Sequence, residues 1–165
     1  MSGCPSSQKL HSSLPIQPSP TSMPADPQAS ALILPPGAGR VYECGPMRAV
    51  FKADETETSA RYSASEWTVA PHSPGSGPHS HEENDELFLI TEGTLAMRVG
   101  DNWVNAPRGT FLRIPAGVVH DFENRTASPA TLFNVFIPGG FERMMPDIVA
   151  WFASQPNAGK TSAAP

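Results

Sequence analysis

The sequence predicts an all-β sandwich or barrel closed at its C-terminal end by one or two short helices. Three observations predict it. Short runs rich in aromatic, β-branched and alternating apolar residues follow one another from Met47 to Ile137. Clusters of Gly and Pro separate them at intervals of roughly ten residues, as turns between strands do. No apolar spacing of helical period appears before Phe141. Strands this short bury a core only when two sheets face each other or one sheet closes on itself.

Taken in order, residues 31–34 form an apolar run closed by Pro35, Pro36 and Gly37, and are expected to act as an edge strand. Residues 47–52 and 61–69 are strand-like, and the alternation puts Trp67 and Val69 on one face. Residues 87–91, a turn at Glu92 and Gly93, and residues 94–99, where Leu95, Met97 and Val99 alternate with Ala96 and Arg98, read as a β-hairpin with one buried face. Gly100, Asp101 and Asn102 turn the chain again, Trp103 and Val104 resume it, and residues 110–114, 118–124 and 131–137 supply three further strands. From 141 to 152 the residues Met144, Met145, Ile148, Val149, Trp151 and Phe152 recur at helical spacing, with Pro146 and Asp147 suited to a first turn. This stripe is expected to pack on the barrel wall rather than to act as a mobile lid.

Composition sets the limits. A chain of 165 residues holds one domain and a tail. Residues 1–30 contain eight serines and six prolines, too little apolar surface to offset the entropy of ordering, and are expected to be disordered. The barrel domain is placed at 31–153 and a flexible tail at 154–165. With 11 Lys plus Arg against 16 Asp plus Glu the formal charge is −5, which disfavours phosphate backbones and argues against nucleic acid as a partner. The longest apolar runs, such as 87–90, are far short of a membrane span, and no signal or transit pattern opens the chain, so a cytoplasmic protein without a membrane partner is expected. Two cysteines, Cys4 and Cys44, make no disulfide framework.

The chemistry is concentrated in two stretches. In the first, Pro78-His79-Ser80-His81-Glu82-Glu83-Asn84-Asp85-Glu86, a strand presents His79 and His81 to one side of the sheet, and Glu86 opens an apolar run that can return a carboxylate to the same interior. In the second, Pro115 and Gly117 make a turn, after which His120 and Phe122 share a face. Three imidazole nitrogens and one carboxylate oxygen form a borderline donor set for Fe, Mn, Co, Ni, Cu or Zn, with positions left for substrate. His72, in a Ser-Pro-Gly loop, is read as solvated, as are Glu82, Glu83 and Asp85. Parity alone does not say which of Phe88, Met97, Phe111, Phe122, Phe133 and Phe136 point inward.

These two stretches resemble the paired motifs of the cupin superfamily. His79, His81, Glu86 and Gly93 keep the spacing of the first motif after its opening glycine, which is Ser73 in this chain, and Gly109, Pro115, Gly117, His120 and Asn124 match the second throughout. The flanking phrases around His72, His120 and Gly139 look like the quercetin-dioxygenase-like branch of small cupins. The resemblance implies a double-stranded β-helix, or jelly-roll barrel, with His79, His81, Glu86 and His120 as ligands of one divalent transition metal and Glu86 as a ligand that can also accept a proton. It further implies a homodimer and a metal-dependent oxidoreductase, most simply a dioxygenase, acting with O2 on a small organic molecule of secondary metabolism. A non-redox isomerase, cyclase, dehydratase or decarboxylase, and a barrel that binds without converting, are the rival expectations.

Overall fold

A computed structural model describes residues 31–155, and the expectations for residues 1–30 and 156–165 lie outside the described residues. The strands are β1 (Arg40–Cys44), β2 (Met47–Ala53), β3 (Ser63–Val69), β4 (Ser73–Pro74), β5 (Asp85–Glu92), β6 (Thr94–Val99), β7 (Asn102–Pro107), β8 (Phe111–Ile114), β9 (His120–Asn124) and β10 (Ala130–Ile137). A short helix α1 (Glu55–Thr58) follows β2, and a 3-10 turn (Glu142–Met144) leads into α2 (Met145–Ser154). The strands make two antiparallel sheets, in the orders β1-β2-β3-β10-β5-β8 and β4-β9-β6-β7. This is the two-sheet all-β architecture that the strand spacing predicts, in the jelly-roll form that the resemblance implies.

The core lies between the sheets because each strand alternates. In β10 the residues Ala130, Leu132, Asn134 and Phe136 are buried while Thr131, Phe133 and Val135 are half-buried on the other face. In β5 Glu86, Phe88 and Ile90 are buried, and from the second sheet Leu95, Met97 and Phe122 meet them. The parity question is thereby answered: Phe88, Met97, Phe122 and Phe136 point inward, whereas Phe111 is 62% exposed and Phe133 sits on the outer face. Burying side chains of this size contributes about 1.5–3 kcal/mol each relative to exposure, which is what holds two otherwise weak sheets together.

Several local expectations are corrected. Strands β5 and β6 are not a hairpin: β5 pairs with β10 and β8, and β6 pairs with β9 and β7, so the chain changes sheets at Gly93. Gly93 has φ of 70°, and a Cβ there would stand 2.9 Å from Pro129 O and 3.0 Å from the Cβ of Ala130. The glycine therefore serves a corner where another strand crosses closely, not a two-residue turn. The hairpin in this region is β6–β7, turned at Gly100 and Asp101. Residues 31–34 form no strand, and Leu32, Ile33 and Leu34 are exposed. Strand β1 was not foreseen: it folds back on β2 across Gly45 and Pro46, with Cys44 opposite Met47. Nor was α1, although Asp54 and Glu57 carry its signal; Glu57 Oε2 accepts from Asp54 N at 2.9 Å.

The C-terminal helices pack as expected. Met145 and Phe152 are buried, and α2 lies against β1. The loop before them is fastened by Asp54, whose carboxylate accepts from Ser63 Oγ, from Gly140 N at 2.5 Å and from Glu142 N at 2.6 Å. Beside it Arg40 bridges Glu57 at 2.8 Å and Glu142 at 2.6 Å.

Candidate metal centre

His79 and His81 do not lie in a regular strand; they belong to the extended segment between β4 and β5. Two backbone bonds seat that segment on β9, from His79 N to His120 O at 3.0 Å and from His120 N to His79 O at 2.8 Å, and a third runs from Gly117 N to His81 O at 2.8 Å. The alternation of extended backbone thus operates as the sequence predicts, but the partner is the second motif itself. Gly75 allows the approach: a Cβ there would fall 1.9 Å from Phe122 O, so only glycine lets β4 lie against β9 at this point. Asp85, expected to be a solvated acid, also has a structural task. It pairs with Arg113 at 2.6 Å and accepts from Ala116 N at 3.0 Å, holding the 115–117 turn beside His81.

The four side chains converge. His79, His81, Glu86 and His120 each offer one donor atom, all within 4.8 Å of one another, and the ring centroids are 4.4–5.4 Å apart. His72 is exposed and stays outside the group. The tautomers follow from the neighbours. Nδ1 of His79 meets Gly77 O at 2.8 Å and Nδ1 of His120 meets Val118 O at 2.9 Å. A carbonyl only accepts, so each Nδ1 carries the hydrogen and the neutral ring keeps its lone pair on Nε2.

The Nε2 atoms of His120 and His81 stand beside a carboxylate. His120 Nε2 is 2.7 Å and His81 Nε2 is 3.4 Å from Glu86 Oε2, yet none of these three buried atoms has a partner in hydrogen-bond geometry. Burial pushes the Glu86 carboxyl up, but the approach of His120 and His81 outweighs it and holds the group below the ordinary glutamate value. For His120 burial acts downward and Glu86 upward, and Glu86 prevails, so its pKa is raised. Burial lowers His79. With its imidazoles neutral the cluster carries the single negative charge of Glu86 amid nitrogen and oxygen lone pairs, an environment a divalent cation fits.

Three of the four, His79, His81 and Glu86, line a cavity of about 570 Å³, while His120 is buried beside them. Its other walls are mainly apolar: Trp67, Phe88, Leu132 and Phe136 from the first sheet, Phe122 from β9, and Phe141, Ile148 and Trp151 from the C-terminal segment. Phe136 and Phe141 stack at 3.9 Å beside His81. Helix α2 therefore both packs on the barrel and borders the cavity, with Trp151 53% exposed at its rim. Among the described residues no Lys or Arg lines this space. Asn134 was missed by sequence reasoning. Its Nδ2 donates to Glu86 Oε1 at 2.7 Å, and the signal that could have found it was a lone polar residue at an inward position of an otherwise apolar alternating strand.

Residues 65–136 match the model of the cupin domain, Cupin_2. The fold agrees with solved structures. An RmlC-like cupin from Shewanella frigidimarina aligns at 14% identity and a TM-score of 0.59, over 70% of this chain and 98% of that one. A sugar phosphate isomerase from a cupin superfamily, from Silicibacter pomeroyi, aligns at 25% and 0.52, over 57% and 60%. A predicted oxalate decarboxylase from Thermotoga maritima aligns at 18% and 0.54, over 56% and 80%. No curated protein matches the chain. Residues 65–136 thus carry a cupin domain match on a fold shared with solved cupins, and the cluster of three histidines and one glutamate brings together four atoms of the kind that hold a metal ion. No helix among the described residues is long and apolar enough to cross a membrane.

Proposed function

We propose that this cupin is a metal-dependent oxidoreductase of dioxygenase type, akin to the quercetin-dioxygenase-like branch, acting with O2 on a small apolar organic molecule. The observation that carries the proposal is the convergence of three imidazoles and one carboxylate, of which His79, His81 and Glu86 line a cavity whose other walls are largely aromatic and aliphatic. His79, His81 and His120 would hold the ion through Nε2 and Glu86 through Oε2. A bound divalent ion supplies Lewis acidity and, for a redox-active metal, an electron couple. The chain's own residues do the rest. Phe136, Phe141 and Trp67 exclude water and orient a flat ligand, and Glu86 Oε2 would accept a proton from a ligand hydroxyl only in exchange for its bond to the ion.

The lining also bears on the ligand's charge. Three neutral imidazoles, the Glu86 carboxylate and a divalent ion sum to one positive charge, and the second carboxylate of the lining, Asp147, adds a negative group, so the cavity meets at most a single ionised hydroxyl. A doubly charged oxalate or sugar phosphate would bring a second negative charge into an apolar space with no Lys or Arg to meet it. Flavonols, diketones and catechol-like compounds fit better. Elemental analysis of the native protein and oxygen uptake with such compounds test the reading. Metal bound in proportion to protein, with uptake abolished in H120A, is the expected result; metal-free native protein, or no uptake with any of these compounds, refutes it.

A second reading is favoured by the names of two structural neighbours, an isomerase and a predicted decarboxylase. On that reading the same four ligands hold Zn or Ni for non-redox chemistry. Turnover under strict anaerobiosis would establish it.

A further inference from the structure

We propose that Asn134 is a positioning residue that restricts Glu86 to donation through a single oxygen. The inference rests on the metal-binding reading above. Asn134 on β10 stands opposite Phe88 of β5, and Phe136 stands opposite Glu86, so Asn134 and Glu86 are diagonal neighbours on the inner face. Asn134 is 1% exposed and Glu86 5%.

The amide can face only one way. Its Nδ2 lies 2.7 Å from Glu86 Oε1 and 3.4 Å from Leu87 O, two atoms that only accept. Turning the amide over would set its oxygen against both, so the NH2 group belongs there and Oδ1, which has no partner among the described residues, is left facing away. The consequence falls on Glu86. With Oε1 held, only Oε2 faces the imidazoles, at 2.7 Å from His120 and 3.4 Å from His81. The carboxylate neither rotates to present both oxygens to a cation nor swings out into the cavity as a free base. Any proton it accepts must be taken on Oε2.

The test uses the full chain loaded with Co2+, whose ligand-field absorption reports the number and kind of donors. N134L keeps the bulk of the side chain and removes the donor; N134V carries the same expectation should N134L fail to fold. The expected result is a loss of Co2+ affinity of about 10–100-fold, the range for groups that orient metal ligands, together with a changed absorption spectrum and an undiminished melting temperature for the metal-free variant. Wild-type affinity and spectrum in the variant would overturn the inference and leave the metal reading intact, with Asn134 a core filler. Absence of Co2+ binding by the wild-type chain would overturn both, and is distinguishable because it appears before any substitution is made.

Discussion

Replacing Asp54 by Ala removes one carboxylate and strands three donors. Asp54 is 3% exposed and accepts from Ser63 Oγ, Gly140 N and Glu142 N, tying the end of β2, the start of β3 and the loop before α2. A hydrogen bond to a charged acceptor contributes about 1.5–3 kcal/mol, so three would sum to about 4.5–9 kcal/mol. That sum overstates the loss. Glu142 N is only partly buried and gains water when the carboxylate is removed, and such bonds are not additive. An expectation of about 3–5 kcal/mol follows from stranding chiefly Ser63 Oγ and Gly140 N, at about 1–3 kcal/mol for each unsatisfied buried donor. For a domain of this size that lowers the melting temperature by roughly 10–20 °C. D54N should lose less, because one oxygen is retained, although its NH2 must face a backbone donor. Urea unfolding followed by tryptophan fluorescence gives both midpoint and slope. A loss below about 1 kcal/mol for D54A, with unchanged slope, would show that the three bonds are replaced by water and that the loop is not held as described.

Two further predictions concern the surroundings of the site. In G75A the new Cβ would meet Phe122 O at 1.9 Å, so β4 must move off β9. The expected outcome is about 1–3 kcal/mol of destabilisation and weaker Co2+ binding, because the His79 segment is seated on the same strand; wild-type melting and Co2+ titration would contradict this. The Arg40 cluster predicts an acid dependence. Arg40 holds the Glu57 carboxyl below its ordinary value, chiefly through their hydrogen bond. A depressed folded-state pKa contributes stability above the unfolded value of about 4.3 and loses it as the pH falls through the folded value. Arg40 is nearly half exposed, so screening keeps this contribution below about 1 kcal/mol. R40Q should therefore be slightly less stable at neutral pH and lose less between about pH 5 and pH 3 than the wild type. Equal losses in urea midpoint over that interval would rule the pairing out as a contributor.

The candidate ligands were legible because spacing in extended backbone is a local property. His79 and His81 share a side whether they lie in a strand or, as found, in a segment seated on β9 by two backbone bonds. The alternation at Glu86, Phe88 and Ile90 reads the same way, since residues two apart in a strand face together regardless of its neighbours. What spacing does not carry is partnership. The β5–β6 connection looks like a hairpin because Glu92 and Gly93 are turn residues between two apolar runs; that Gly93 is a corner depends on Pro129 and Ala130, far along the chain. The exposed position of residues 31–34 is likewise not written in their apolar composition.

By itself, then, the amino-acid order determined the all-β class, the C-terminal helix and the identity of the four convergent donors, since each rests on periodicity or on the chemistry of a side chain. The tertiary structure alone decided which strands share a sheet, that Asn134 reaches Glu86, and that Asp54 gathers the loop before α2. The reason is physical. A buried hydrogen bond between residues 48 or 86 positions apart depends on where distant strands are brought together, and no local pattern encodes that meeting.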